Sequence, residues 1–81
     1  MMKTVTVQYF AAYREAVGHG EEVVQTAAST ADALFSELQA RHAALERFEA
    51  MRVAINDEMA DWPDAIADGD TVLVFPPVAG G

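Results

Sequence analysis

The sequence contains no cysteine. This absence excludes disulfide bonds, thiolate metal ligands, a cysteine nucleophile and a persulfide carried on this chain. Basic residues are scarce, since 5 lysines and arginines face 13 aspartates and glutamates, which gives a formal net charge of −8. Such a surface repels the phosphates of a nucleic acid, so we expect no nucleic-acid partner. The acidic surface suits either a basic protein partner or plain solubility.

Long hydrophobic runs are also missing. Residues 1–4 lack the apolar stretch of a signal peptide, and no segment approaches the length of a membrane span. We therefore expect a soluble, cytoplasmic protein with no membrane partner. The 81 residues suit a single domain over 1–81, and 52% of them are hydrophobic, which a domain this small needs for its core.

Alternation of apolar and polar residues predicts the strands. Within residues 3–10, Val5, Val7 and Tyr9 alternate with polar neighbours, which is typical of a strand with one buried face. A short helical turn is expected at 11–17. Further strands are predicted at 21–27, 51–56 and 71–75.

A helix is predicted from about Ala31 to Arg47, with Ser29 or Thr30 as its N-cap. Apolar residues three and four apart form its buried stripe: Ala31, Leu34, Leu38, Leu45 and Phe48. One amphipathic helix against a mixed sheet, in the order β, β, α, β, short connection, β, indicates an α+β fold.

Turns are predicted at 56–57 and 68–70, where Asn, Asp and Gly cluster. Trp62 precedes a proline and is expected to anchor the core. We expect His19 and His42 to be isolated from each other and from any carboxylate arrangement. We expect both to be surface residues and predict no metal site.

The sequence ends in an unusual segment. Phe75 is followed by Pro76, Pro77, Val78, Ala79, Gly80 and Gly81. The two prolines lack amide donors, so they end the sheet ladder and hold the chain extended. A flexible tail over 76–81 would reach about 20 Å at ~3.3 Å per residue. From the residues alone, this ending is either a frayed terminus or a thin tip that carries a reactive carboxyl into another protein.

A terminal glycine suits acyl chemistry. Joined to AMP as a mixed anhydride, its carboxyl becomes an electrophile, and attack by a sulfur nucleophile gives a thiocarboxylate. No Cβ crowds the carbonyl of Gly81. A sulfur carrier without cysteine has to hold its sulfur at such a place. Two aromatic residues, Phe10 and Phe75, lie where strand alternation favours polar side chains, so they either close a small second core or form an exposed patch.

The ending 75–81, the turn 68–70, and the pairs Phe10-Ala11, Arg14-Glu15 and Val17-Gly18 resemble the small subunit of molybdopterin synthase over the whole chain. This resemblance implies a β-grasp fold, and it implies adenylation and thiocarboxylation of the last residue, Gly81. It further implies that the chain works as part of an enzyme, a sulfurtransferase that acts on cyclic pyranopterin monophosphate. Most catalytic side chains are then expected on the large subunit.

The same resemblance implies the partners. They are the large synthase subunit, an adenylating enzyme similar to those that activate ubiquitin, and a sulfur donor protein. The adenylating enzyme uses ATP, and no permanently bound cofactor is expected. Hydrophobic contacts to the large subunit are implied at Phe10, Met59 and Phe75, although leucine is commoner than methionine at position 59. The tail residues expected to bind partners are Pro76, Pro77, Val78, Ala79 and Gly80.

Other functions stay open on the sequence. The carrier could serve thiazole synthesis or tRNA thiolation, although the Phe-Pro-Pro segment disfavours the thiazole type. It could be a ubiquitin-like modifier joined through Gly81 to lysines of target proteins. A plain interaction domain with an idle tail is a third class.

Overall fold

The computed structural model describes residues 2–10, 12–43, 45 and 51–75. Its elements, in chain order, are strand β1 (Lys3–Tyr9), helix α1 (Ala12–Val17), strand β2 (Glu21–Thr26), helix α2 (Ala31–Arg41), and strands β3 (Arg52–Ile55), β4 (Glu58–Ala60) and β5 (Thr71–Phe75). The predicted strands and the predicted helical turn near the start of the chain are confirmed.

The strands form one five-stranded mixed sheet in the order β2-β1-β5-β3-β4. The strand β5 lies in the middle, parallel to β1 and antiparallel to β3. The strands β2 and β4 form antiparallel edges next to β1 and β3. Since α2 covers one face of this sheet, the predicted α+β architecture is confirmed.

The core lies between α2 and the inner face of the sheet. The predicted inward residues of β1 are all buried there: Val5, Val7 and Tyr9. Leu34 and Leu38 of α2 are buried in the same cluster. Trp62 is partly buried against it, as predicted, and packs edge-on to Phe35 with ring centroids 5.5 Å apart.

The helix α2 starts where predicted but ends earlier. Thr30 is the N-cap, and its Oγ1 accepts a hydrogen bond from the Ala33 amide at 3.1 Å. The last helical residue is Arg41, so the predicted end near Arg47 is wrong. His42 leaves the helical region at φ −123° and ψ 97°, which turns its side chain toward β2.

Beyond the end of α2, the predicted apolar stripe continues outside the helix. Leu45 is buried although it lies outside the helix, and its amide donates to the His42 carbonyl at 2.9 Å. Phe48, the last member of the predicted stripe, lies outside the described residues.

A hairpin replaces part of the connection predicted after β3. Asn56 and Asp57 both have positive φ, 52° and 69°, the geometry of a tight two-residue hairpin turn. The turn leads into β4, which the sequence did not predict because three residues are too few to show alternation.

The predicted turn at 68–70 is confirmed. Gly69 has φ 89°, which glycine adopts without the clash that a Cβ would cause. Asp68 Oδ1 accepts from the Thr4 amide at 2.7 Å, and Asp70 Oδ2 accepts from the Ala67 amide at 2.8 Å. These contacts fix the point at which β5 begins. Among the described residues, no helix has the length and apolar character needed to cross a membrane.

Candidate functional site

The strand β5 is the root of the C-terminal tail. Its pairing with β1 places Val74 opposite Tyr9, and its pairing with β3 places Phe75 opposite Arg52. Both edges of the strand are therefore paired, on the β1 side as far as Val74 and on the β3 side as far as Phe75. The predicted tail site, Pro76, Pro77, Val78, Ala79, Gly80 and Gly81, lies outside the described residues. What the structure establishes is that the strand before the tail is paired on both sides.

An apolar patch lies on the outer face of the sheet beside this root. Because Val72 and Val74 are buried against the core, alternation turns Leu73 and Phe75 to the opposite face, where both are half-buried. Phe10 follows the Tyr9–Val74 pair by one residue on the β1 side, just as Phe75 follows it on the β5 side.

The register extends this patch across the sheet to β4. Leu73 is opposite Ala54 of β3, and Ala54 is opposite Met59 of β4. We call this set the outer-face patch, and it consists of Phe10, Ala54, Met59, Leu73 and Phe75. Phe10 is 60% exposed and Met59 64% exposed, which places these two of the three predicted contact residues at the surface. Their exposure favours the patch over a small second core beneath a loop.

Two members of the outer-face patch were not predicted from the sequence. Leu73 and Ala54 lie between Phe75 and Met59 in the register, and they make the patch continuous. Alternation within β5 carried the signal for Leu73, since the buried Val72 and Val74 leave it on the other face. Ala54 carried no such signal because its small side chain fits either face.

Charged residues surround the patch. Exposed Arg52 lies opposite Phe75 at the root of the tail. Exposed Asp57 and Glu58 lie at the β3–β4 turn, next to Met59. An apolar centre with a charged rim is the usual composition of a protein–protein contact surface.

A polar cluster lies on the other face of the sheet, where β2 meets the end of α2. The carboxylate of Glu22 accepts a hydrogen bond from Tyr9 Oη at 2.7 Å, and its Oε2 is also 2.7 Å from His42 Nε2. Arg41 Nη1 lies 3.5 Å from Oε1 of the same carboxylate. The rings of His19 and His42 pack edge to face, with centroids 6.5 Å apart.

The prediction that His42 is isolated from His19 and from any carboxylate is therefore wrong. Because α2 ends early, the His42 side chain lies against Glu22, a contact that no local sequence pattern predicted. Among the residues that the structure describes, no group of histidine and carboxylate side chains is arranged to hold a metal ion.

The contacts of Glu22 set its ionisation. Burial by itself raises the pKa of the Glu22 carboxyl, but hydrogen bonds from Tyr9 and His42, together with the charges of His42 and Arg41, outweigh it and lower the pKa below its ordinary value. For Tyr9, burial and then the hydrogen bond to Glu22 raise the pKa of the phenol, so it stays protonated. The cluster thus holds one carboxylate in its ionised form at the edge of the core.

Solved structures with the same architecture define the class of protein. Small archaeal modifier protein 1 of Haloferax volcanii is 27% identical, with a TM-score of 0.83 over 94% of this chain and 99% of that one. A putative molybdopterin converting factor subunit 1 from Pyrococcus furiosus is 30% identical, with a TM-score of 0.79 over 94% of this chain and 99% of that one. The fold is therefore the predicted ubiquitin-like β-grasp.

A third similar structure contains a partner. In the complex of subunits 1 and 2 of the molybdopterin-converting factor from Helicobacter pylori 26695, one chain is 29% identical to this one, with a TM-score of 0.64 and 100% coverage of both chains. The ThiS family model matches residues 7–81. The chain belongs to the ThiS family and is a ubiquitin-like sulfur carrier related to subunit 1 of the molybdopterin-converting factor.

Proposed function

We propose that this protein carries sulfur as a thiocarboxylate on Gly81 and donates it to cyclic pyranopterin monophosphate within molybdopterin synthase. The observation that carries the proposal is the ThiS family match, which extends through Gly80 and Gly81. Likeness to two structures of molybdopterin-converting factor subunit 1 supports the choice of this pathway. The lack of cysteine leaves the terminal carboxyl as the group that can hold the sulfur.

The chemistry begins at the carboxylate of Gly81. One of its oxygens attacks the α-phosphorus of ATP in the adenylating enzyme, and pyrophosphate leaves. A sulfide equivalent from the donor protein then attacks the carbonyl carbon, the bond to the AMP oxygen breaks, and AMP leaves. The product is a thiocarboxylate. ATP is consumed in the partner enzyme, and no cofactor stays on this chain.

The outer-face patch would bind the large subunit. Phe10, Met59 and Leu73 present apolar surface next to the root of the tail, so the same contact that holds the partner also aims the tail. Since β5 is paired on both sides, the tail starts from a fixed point. Residues 76–80 would then lie in a channel of the partner, and most catalytic side chains would belong to the large subunit.

Mass spectrometry tests this proposal. Incubated with its adenylating enzyme, ATP and a sulfur donor, the protein should gain the mass difference of one oxygen replaced by one sulfur, and fragmentation should locate the change at Gly81. Deletion of Gly81, or addition of one residue after it, should abolish the mass change and sulfur transfer while large-subunit binding persists. Normal molybdopterin formation by the extended protein, without processing back to Gly81, would show that the proposal is wrong.

A second candidate is a protein modifier, and likeness to small archaeal modifier protein 1 favours it. In that function, the activated Gly81 would be joined to lysines of target proteins. Digestion of cellular proteins and a search for lysines that carry the C-terminal residues of this chain distinguishes the two. Conjugates that form in vivo while sulfur transfer fails would favour the modifier. A carrier for tRNA or thiazole sulfur would instead gain the sulfur but fail to complement loss of the molybdopterin pathway.

A further inference from the structure

Lys3 is the single lysine in the 81-residue sequence, and the other basic residues are arginines. It is the first residue of β1 and is partly buried. Its ammonium donates a hydrogen bond from Nζ to the carbonyl oxygen of Ala28 at 3.0 Å. The lysine amine of this chain is therefore engaged within its own fold.

The position of Lys3 in the sheet matters as well. The strands β1 and β5 are parallel, so Lys3 at the start of β1 and Phe75 at the end of β5 lie toward opposite ends of the sheet. The 7 residues of β1 span roughly 20 Å at ~3.3 Å per residue. At the tail end of the sheet, Arg52 of β3 lies opposite Phe75.

These placements bear on the chemistry of an activated glycine. An acyl adenylate reacts with a lysine amine when the nitrogen lone pair attacks the carbonyl carbon. An amide bond forms, the bond to the AMP oxygen breaks, AMP leaves, and the nitrogen loses a proton. The amine of Lys3 would have to break its hydrogen bond to the Ala28 carbonyl before it could attack. The delocalised guanidinium group of an arginine such as Arg52 is a poor nucleophile and does not react in this way.

We propose that this arrangement keeps the activated carrier from acylating its own chain or other copies of itself, so that Gly81 reacts with partner groups and does not form isopeptide bonds within or between copies. The inference rests on the proposed activation of Gly81. Two features would limit self-acylation. The amine of Lys3 is hydrogen-bonded within its own fold, and position 52 holds arginine rather than lysine.

The test compares the wild-type protein with Arg52→Lys and Lys3→Arg. Each is incubated with the adenylating enzyme and ATP but without a sulfur donor, and pyrophosphate release reports activation. We expect the wild type and Lys3→Arg to stay monomeric on denaturing gels. Arg52→Lys keeps the charge but places a free amine at the root of the tail, so it should give covalent dimers linked through position 52.

Two results would overturn the inference. Wild-type multimers linked through Lys3 that vanish in Lys3→Arg would show that the lysine is reactive. A lack of coupling in Arg52→Lys, with normal pyrophosphate release, would show that lysine placement is not the deciding feature. Absent pyrophosphate release in every variant would instead count against the proposed activation of Gly81.

A second measurement does not depend on the activating enzyme. In the Arg52→Lys variant, a small N-hydroxysuccinimide ester should acetylate Lys3 about tenfold or more slowly than the amine at position 52, because the hydrogen bond to Ala28 has to break first. Peptide mapping over time gives both rates in one sample. Equal rates would overturn the inference whether or not Gly81 is activated.

Discussion

The Nε2 atom of His42 lies 2.7 Å from Oε2 of Glu22, and this contact ties the end of α2 to β2. The two residues are 20 positions apart in the sequence. Tyr9 of β1 donates to the same carboxylate, so one side chain joins two strands and the helix. Loss of that carboxylate charge should therefore lower the free energy of unfolding of the whole domain.

The stability of the protein should fall as the pH drops through the titration of Glu22. The pKa of Glu22 in the folded protein is below its ordinary value of 4.5, so its contribution is present above that value and is lost as the pH falls through the folded pKa. Glu22→Gln should cost about 1 to 3 kcal/mol at neutral pH and should flatten the loss of stability below pH 4.5.

Urea unfolding between neutral and acidic pH measures this effect. The matched control is Glu15→Gln, which neutralises an exposed carboxylate on α1. If Glu22→Gln and Glu15→Gln had the same pH profile, Glu22 would not be the linked group.

Truncation of the outer-face patch should weaken binding to the large subunit and leave the fold intact. Phe10→Ala and Phe75→Ala should each reduce affinity by tens-fold, since an aromatic side chain at the centre of an interface can contribute about 2 kcal/mol or more. Calorimetry or surface plasmon resonance gives the affinities, and circular dichroism reports the fold.

Val23 provides the control for that experiment. It is 65% exposed on the outer face of the edge strand β2, away from the patch, so Val23→Ala removes exposed apolar surface elsewhere. We expect its affinity to match the wild type. Equal affinities for Val23→Ala and the two phenylalanine variants would contradict the assignment of the patch.

Truncation of the core should act on stability alone. Leu34 of α2 is buried in the main cluster, on the face of the sheet opposite to the patch. Leu34→Ala should lower the free energy of unfolding by about 2 to 5 kcal/mol, because it leaves a cavity. The measurement is chemical denaturation, and Ser36→Ala on the exposed side of the same helix should change it little. A stability for Leu34→Ala close to wild type would contradict the described core.

The turn before β5 should require glycine at position 69 because of the backbone conformation there, and not because a side chain would lack space. A Cβ at Gly69 would meet nothing within 4 Å, yet φ is 89°. Gly69→Ala should therefore destabilise the domain by about 1 to 2 kcal/mol through backbone strain. The comparison is Gly20→Ala, where a Cβ would approach the flexible Arg14 side chain and φ is not positive. In thermal unfolding, Gly69→Ala should have a lower melting temperature than Gly20→Ala. The reverse order would contradict the strain argument.

Much of the fold follows from local patterns. The alternation of Val5, Val7 and Tyr9 predicted β1 and its buried face, and Thr30 was one of two predicted caps for α2. The apolar spacing continues to Leu45, so it did not predict the end of α2 at Arg41. The contact between His42 and Glu22 was not predictable either, because the two residues are 20 positions apart in the sequence. The strand β4 was missed because it exists through pairing with β3 rather than through its own residues.

The candidate site was predicted in part. Phe10 and Met59 were expected at the surface, and both are exposed. Leu73 could be assigned to the patch only from the register of β5 with β1 and β3, because the register shows which side chains share a face of the sheet. The chemistry assigned to Gly81 follows from sequence and family and lies outside the described residues.

The central position of β5 also has a mechanical consequence. A force applied to the tail acts along β5, which is paired on one side with β1 and on the other with β3. To extract the strand, the force has to shear both rows of hydrogen bonds together rather than peel them apart one at a time. A partner that pulls on the tail would therefore meet high resistance, and the domain should survive repeated loading and release without unfolding.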